Sequence, residues 1–370
     1  MTFDRKDIRT RRATEETGDD SSYFELLSDS PPTILRASSR YEILKELARG
    51  GEGIIYLARD SELRRHVAVK ILRPDLSDRS SAIKRFQQEA LVMCRLQHPG
   101  IPQVYDVGTG LDGRPYHAMK LVKGEDMFNM LDRLPNEPAQ RTEALRAFAK
   151  VCDTMAYTHS KGIVHLDLKP LNYMIGCFGE VHVMDWGTAR VLDNDGIYRS
   201  KTIPKSLEES NRMIGGTLQY MCPEQVSGEV LDRRADVFGL GGTLCHILTG
   251  APTFVCEKRR DAMRMSSQGE LGPTYDRLSR CGADPVLVRL AIRCLQADPA
   301  NRPRDAGEVA RELAAYEHAA LRRFESDMSR FFELSHDLFC FAGMDGFFRR
   351  INDNFTKVLG YSEAELLSMP

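Results

Sequence analysis

Residues 165–187 constrain this chain more than any other stretch. They read His165-Leu166-Asp167-Leu168-Lys169-Pro170-Leu171-Asn172 and then, thirteen residues beyond Asn172, Asp185-Trp186-Gly187. Two carboxylates, an amide and a lysine thus fall in two loops that flank short strand signals at 173–176 and 181–184. That spacing lets one carboxylate face a substrate hydroxyl while the other, with the amide, binds a hard divalent cation. Asp and Asn often cap structural turns, but this combination is improbable as a set of unrelated loop caps.

Composition narrows what surrounds those loops. With 370 residues, 42% hydrophobic and 28% charged, the chain is long enough for two or three globular domains. Lys+Arg (51) and Asp+Glu (53) nearly cancel, so no global field favours nucleic acid, and none is expected as a partner. The nine cysteines are scattered without a C-x-x-C pair, which suggests neither a disulfide framework nor a zinc site and fits a reducing cytoplasm. No apolar run approaches the roughly 20 residues of a membrane helix, and Met1–Thr10 leads into polar sequence rather than a signal-peptide core. A soluble cytoplasmic protein without a membrane segment is expected.

Along the chain, residues 1–40 are too polar to offset the entropy of ordering and read as a tail. Strand signals at 41–47, 54–58 and 66–72 form an antiparallel meander. A helical period over 82–96 places Ile83, Phe86, Ala90 and Met93 on one face, and strands are expected at 102–107 and 116–121. From about 140 to 316 the pattern is mainly helical, broken by loop-rich sequence at 163–232. Residues 305–334 read as one long helix, with Val309, Leu313, Tyr316, Ala320 and Phe324 in steps of three and four. Short strand and helix signals return over 335–370. There are no internal repeats.

The cluster Leu47-Ala48-Arg49-Gly50-Gly51-Glu52-Gly53-Ile54-Ile55 lies between two strands, where glycines let backbone N–H groups approach phosphate oxygens. A glycine-rich hairpin turn would look the same, but a Val67-Ala68-Val69-Lys70 strand follows. An ammonium buried at that strand needs an anionic partner. Glu89 on the next helix can supply it, or can pair with Arg85 one turn earlier; the residues alone leave both open.

These motifs resemble the bacterial serine/threonine protein kinases of the eukaryotic (Hanks) type over about residues 41–316. The match includes Gly215-Gly216-Thr217 leading to Cys222-Pro223-Glu224, Asp232-Arg233-Arg234-Ala235-Asp236-Val237-Phe238-Gly239, and Asp298-Pro299-Ala300-Asn301-Arg302-Pro303. The resemblance implies an α+β, two-lobed kinase fold with a β-rich N-lobe (about 41–121) and a mainly helical C-lobe (about 122–316). It implies ATP with Mg²⁺, or Mn²⁺ in its place, and protein substrates bearing serine or threonine. Leu47, Gly50, Gly51, Glu52 and Gly53 would then cover the nucleotide, Lys70 hold its α- and β-phosphates, and Glu89 position Lys70. Ile55, Ala68 and Met174 would enclose adenine, with Met119 as gatekeeper and the Lys120 and Val122 backbone supplying hydrogen bonds. Asp167 would orient the attacking hydroxyl and accept its proton, Lys169 steady the γ-phosphate, and Asn172 and Asp185 hold the metal. Glu224 and Arg302 match a buried ion pair, and Asp236 a brace for the catalytic loop. Asp167-Leu168-Lys169 is similar to the serine/threonine-specific form of that loop.

Three positions depart from the family pattern: Ala48 for the first loop glycine, Trp186 for phenylalanine, and Leu166 for an arginine that pairs with a phosphorylated activation segment. The last implies activity without activation-segment phosphorylation, although Tyr198, Ser200, Thr202, Ser206 and Ser210 offer hydroxyls. A catalytically silent nucleotide-binding scaffold is the rival reading, against which intact Lys70, Asp167, Asn172 and Asp185 argue. A small-molecule phosphotransferase would not explain Cys222-Pro223-Glu224. After a helical linker at 317–334, Phe332–Asn352 with Phe355, Leu359-Gly360-Tyr361 and Glu365-Leu366-Leu367 resembles the opening of a PAS sensor domain. Residues 335–370 are thus expected to be a partial PAS domain, and the linker and PAS region to support a homodimer.

Overall fold

A computed structural model describes residues 40–133, 138–198, 218–256 and 258–368. The expected tail, apart from Arg40, lies outside these residues, as do Ser200, Thr202, Ser206, Ser210 and Gly215-Gly216-Thr217.

The first lobe is a five-stranded antiparallel sheet in the order β1-β2-β3-β5-β4. Its strands are β1 (Tyr41–Arg49), β2 (Gly53–Asp60), β3 (Arg65–Leu72), β4 (Val104–Thr109) and β5 (Pro115–Met119). β3 is buried from Val67 to Leu72, as its run of β-branched residues demands of a central strand covered on both faces. Cross-strand partners share a face, so the pairings Ile55↔Lys70 and Ala68↔Met119 bring glycine-loop, lysine and gatekeeper positions to one surface. Ala48 pairs with Ile55 inside β1, so its methyl group belongs to a strand rather than to the loop tip. Helix α1 (Ser80–Cys94) buries Phe86, Glu89, Ala90 and Met93, the expected apolar face with one carboxylate in it.

The second lobe is led by β6 (Glu125–Asp126), α2 (Met127–Arg133) and α3 (Pro138–Ser160). β7 (Ile163–Val164), β8 (Tyr173–Ile175), β9 (Val181–Val183) and β10 (Arg190–Val191) follow, then α4 (Pro223–Ser227) and α5 (Arg233–Thr249). α5 is buried on every side from Ala235 to Leu248, the signature of a helix at the centre of a core. Its Gly239 is needed there: a Cβ would stand 3.0 Å from the Cβ and carbonyl oxygen of Leu168, so glycine lets the helix abut the catalytic loop. α6 (Arg259–Ser267), α7 (Gly272–Arg280) and α8 (Pro285–Cys294) complete the lobe.

Helix α9 (Ala306–Leu334) runs unbroken for 29 residues, its Asp305 N-cap accepting from the Glu308 amide at 2.9 Å. Ala306, Val309 and Leu313 are buried against the lobe, while Leu321, Phe324, Met328 and Phe331 are exposed. The expected boundary at 316/317 is therefore a change of surroundings within one helix. Beyond it, β11 (Cys340–Ala342) and β12 (Phe348–Ile351) form a hairpin, followed by α10 (Asp353–Leu359) and α11 (Glu363–Ser368). Ile351, Phe355 and Leu366 make its small core, and Phe332 of α9 stacks on Phe341 at 5.4 Å between centroids. Among the described residues no helix is long and apolar enough to cross a membrane.

Candidate active site

The site lies between the two lobes. β3 and α1 meet where Lys70 Nζ donates to both Glu89 oxygens at 2.6 and 2.7 Å, and both side chains are buried. This decides the open choice of partner: Arg85 turns instead to Glu52 of the glycine loop. Burial disfavours the ammonium, but Glu89 and then Asp185 outweigh it and hold Lys70 above its ordinary value. His117, across the β3–β5 pairing from Lys70, is pushed down to about 3 by burial and by that same cation, so it stays neutral.

The catalytic-loop residues converge as their order implies. Lys169 Nζ donates to Asp167 Oδ1 and Oδ2 at 3.0 and 2.7 Å, and Asn172 Nδ2 donates to the Asp167 carbonyl at 2.7 Å and to Oδ2 at 3.0 Å. β8 and β9 bring the second loop alongside, the Met184 amide donating to the Asn172 carbonyl at 2.8 Å just before Asp185. Burial, aided by the Asp185 charge and opposed by Lys169, raises the Asp167 carboxyl above its usual range. Asp185 keeps an exposed surface; such desolvation as it suffers would raise its carboxyl too, but Lys70 and Lys169 reverse the effect and keep it below that range. Adjacent carboxylates are thus pushed apart in acidity, one toward proton acceptance and the other toward permanent charge.

Two non-glycine residues in this site adopt left-handed backbone, Leu166 at φ 66° and Asp185 at φ 60°, a conformation costing roughly 1–2 kcal/mol. Leu166 is held there from both sides. Its amide donates to Asp236 Oδ1 at 2.7 Å and its carbonyl accepts from Gln225 Nε2 at 2.8 Å. Asp236 also accepts from the His165 amide at 2.8 Å and contacts His159 Nε2 at 2.9 Å, and Thr188 Oγ1 donates to the His165 carbonyl at 2.8 Å. Gln225, Thr188 and His159 were not singled out from the sequence. Their only signal there is proximity to the motifs, because each contact joins residues distant along the chain. Trp186 is buried, its indole N–H donating to the Val183 carbonyl at 2.9 Å and its ring 4.7 Å from that of His165. Glu224 and Arg302 form the expected buried bidentate pair at 2.6 and 2.9 Å.

Ala68 and Met119 are buried in the main core and Ile55 packs partly buried against it, while Met174 is half-buried and Leu47 largely exposed. The Lys120 amide donates to the Gln103 carbonyl at 2.9 Å, and its Nζ lies 3.1 Å from His182 Nε2. Among the described residues no group of three or more His, Cys, Asp or Glu could by itself hold a metal ion. The donor set suits a cation brought in by phosphates: with its Nδ2 committed to Asp167, Asn172 retains its amide oxygen, and Asp185 adds a charged carboxylate.

A family model described as "Protein kinase domain" matches residues 41–315. The chain belongs to the protein kinase domain family. It is 36% identical over 281 residues to serine/threonine-protein kinase PknB of Mycolicibacterium smegmatis, covering 75% of this chain and 43% of that protein. PknB of Mycobacterium tuberculosis is 34% identical over 279 residues (75% and 42%), and PknD of Chlamydia caviae 32% identical over 289 residues (74% and 31%). The chain thus spans less than half the length of these relatives. ATP and divalent-metal use is general in the family.

Proposed function

We propose that this chain is a cytoplasmic serine/threonine protein kinase that transfers the γ-phosphoryl group of ATP to protein hydroxyls, its own included. The observation that carries this reading is the closed Lys70–Glu89 pair standing over an assembled Asp167, Lys169, Asn172 and Asp185. Leu47, Gly50, Gly51, Glu52 and Gly53 cover the nucleotide. Ile55, Ala68, Met119 and Met174 enclose adenine, which bonds to the Lys120 carbonyl and Val122 amide. Lys70 holds the α- and β-phosphates. The substrate oxygen bonds to the γ-phosphorus as the bond to the β,γ-bridging oxygen breaks; Asp167 takes the hydroxyl proton and ADP leaves. The raised pKa of Asp167 suits that role, since a base closer to neutral pH both accepts and releases the proton readily. Lys169 offsets charge on the transferred group. Asn172 and Asp185 would hold magnesium, which would supply neutralisation of the phosphate charge.

Incubating purified chain with labelled Mg-ATP and a basic protein substrate tests this. Transfer to serine or threonine is expected, falling about 10²–10⁴-fold in Asp167→Asn. Tight Mg-ATP binding without transfer would instead identify a silent scaffold.

We also propose that residues 335–368 are the start of a PAS-like sensor and that α9 pairs with a second copy. Leu321, Phe324, Met328 and Phe331 are exposed in steps of three and four, the spacing of a two-helix seam. A strict monomer by mass measurement at high concentration would overturn the pairing.

A further inference from the structure

Arg85 and Glu89 lie four residues apart on α1 and therefore on one face. Glu89 reaches down to Lys70, and Arg85 reaches across to Glu52 at the turn of the glycine loop, 33 positions earlier in the chain. The loop tip is tied by its backbone as well: the Gly50 amide donates to the Gly53 carbonyl at 2.9 Å, and the Arg73 amide to the Glu52 carbonyl at 3.0 Å. A Cβ on Gly53 would stand 3.0 Å from Lys70 Cγ and Cε, so the loop backbone rests directly on the lysine side chain. These contacts close a ring, from Glu52 through Arg85, along one turn of α1 to Glu89, to Lys70, and back to the loop at Gly53.

We propose that the Glu52–Arg85 pair is a latch that makes the phosphate-covering loop and α1 move as one unit. This deepens the kinase reading and rests on it. A bare carboxylate in a loop that covers polyphosphate would repel its ligand. Arg85 cancels that charge and turns the repulsion into a tether. Closing the loop over phosphates then pulls α1 inward, which keeps Glu89 on Lys70; releasing the nucleotide frees both together. Glu52 and Arg85 are positioning residues here. The pair is only partly exposed, at 24% and 35%, so solvent weakens it without abolishing it.

The test uses the full chain with charge exchange. Mg-ATP affinity is measured by titration calorimetry. The emission of Trp186, the single tryptophan, which packs beneath α1, is followed alongside. Arg85→Glu is expected to weaken Mg-ATP about tenfold, raising KM far more than it lowers kcat; Glu52→Arg sets a cation beside the phosphates and is judged by emission, and both are expected to reduce the nucleotide-dependent change in emission. The exchanged double variant is expected within about threefold of the parent, and Arg85→Lys between the two. An Arg85→Glu variant that binds as the parent does, or a double variant no better than it, would overturn the latch. Should a reversal fail to fold, the neutral cycle of Glu52→Gln and Arg85→Gln serves, with non-additive losses expected and additive ones overturning the proposal. A parent chain that binds Mg-ATP but transfers no phosphate would sink the kinase reading alone, since the latch is judged on affinity and emission.

Discussion

The catalytic loop and the C-terminal hairpin unit both hang from the helical lobe, and they are held by opposite means. Residues 165–172 bury Leu168 in the main core, but polar contacts set the course of their backbone. They are fixed by polar side chains arriving from separate elements, the buried Asp236 on α5 and the half-buried Gln225 on α4 and Thr188 beside Asp185. Residues 335–368 have a three-residue apolar core, a stack on Phe332, and ion pairs such as Arg350–Glu333 at 3.0 Å, each partner more than a third exposed. Apolar burial is non-directional and suffices to keep a unit together. Hydrogen bonds to buried backbone are directional, and they set an atom's position within a fraction of an ångström. The difference follows from the tasks, because a carboxylate that must meet a hydroxyl tolerates little displacement.

The largest expected effect that would break this contrast is at Asp236. Asp236→Ala leaves the His165 and Leu166 amides buried without their acceptor, costing about 1–3 kcal/mol for each orphaned group. Phosphoryl transfer should fall at least about a hundredfold, by analogy with a misplacement of about 1 Å. A kcat within threefold of the parent would show that the loop holds itself.

Next in size is a matched pair of cuts. Arg302→Met strands Glu224 in the core, and such a break costs about 3–5 kcal/mol, or roughly 6–15 °C in midpoint for a domain of this size. Arg350→Met cuts an exposed pair and should cost less than about 1 kcal/mol. Scanning calorimetry on both variants reads the difference directly; equal shifts would erase the distinction.

Acid sharpens the comparison further. Burial would raise the Asp236 carboxyl, but the His159 side chain and the backbone donors overcome it and hold the folded value below the ordinary range. The unfolded chain therefore binds the proton more readily. The resulting stability is complete above about pH 4 and is lost as pH falls through the lower folded value. Asp236→Asn, which cannot titrate, should flatten the acid limb of a melting-versus-pH curve for the kinase body. An unchanged acid limb would mean that other carboxylates govern it.

The smallest expected effect is in the activation segment. Because Leu166 offers no guanidinium and its backbone is already fixed by Asp236 and Gln225, Thr202→Ala combined with Ser206→Ala should keep transfer within about tenfold of the parent. A larger loss would restore phosphorylation as the switch.

What the sequence disclosed divides along the same line. The convergence of Asp167, Lys169, Asn172 and Asp185 was legible because a few residue types stand at a fixed spacing in two neighbouring loops. The strands and α1 were legible because burial imposes periodicity, and their ends differ from expectation by a residue or a few. Glu89 was legible only as one of two partners for Lys70, since helical phase places Arg85 and Glu89 on the same face and says nothing of what lies opposite. The Gln225 brace and the Glu52–Arg85 contact were not legible. They join residues 59 and 33 positions apart, the first through the Leu166 carbonyl and the second through side chains, in geometry that exists only in the folded lobes. The long helix across 316 was legible too, because its apolar positions keep a helical period from Val309 to Phe324.

The left-handed backbones at Leu166 and Asp185 have an evolutionary consequence. A sequence selected for stability alone would favour glycine at such positions, where it carries no steric penalty. This chain keeps leucine and aspartate, so both positions carry a backbone strain that the surrounding contacts, at Leu166 those to Asp236 and Gln225, must offset. Stabilising substitutions should therefore be plentiful throughout the helical lobe and scarce within this one loop pair. A search for a hardier variant would find its gains at a distance from the chemistry, and any gain at Leu166 would arrive with a loss of turnover.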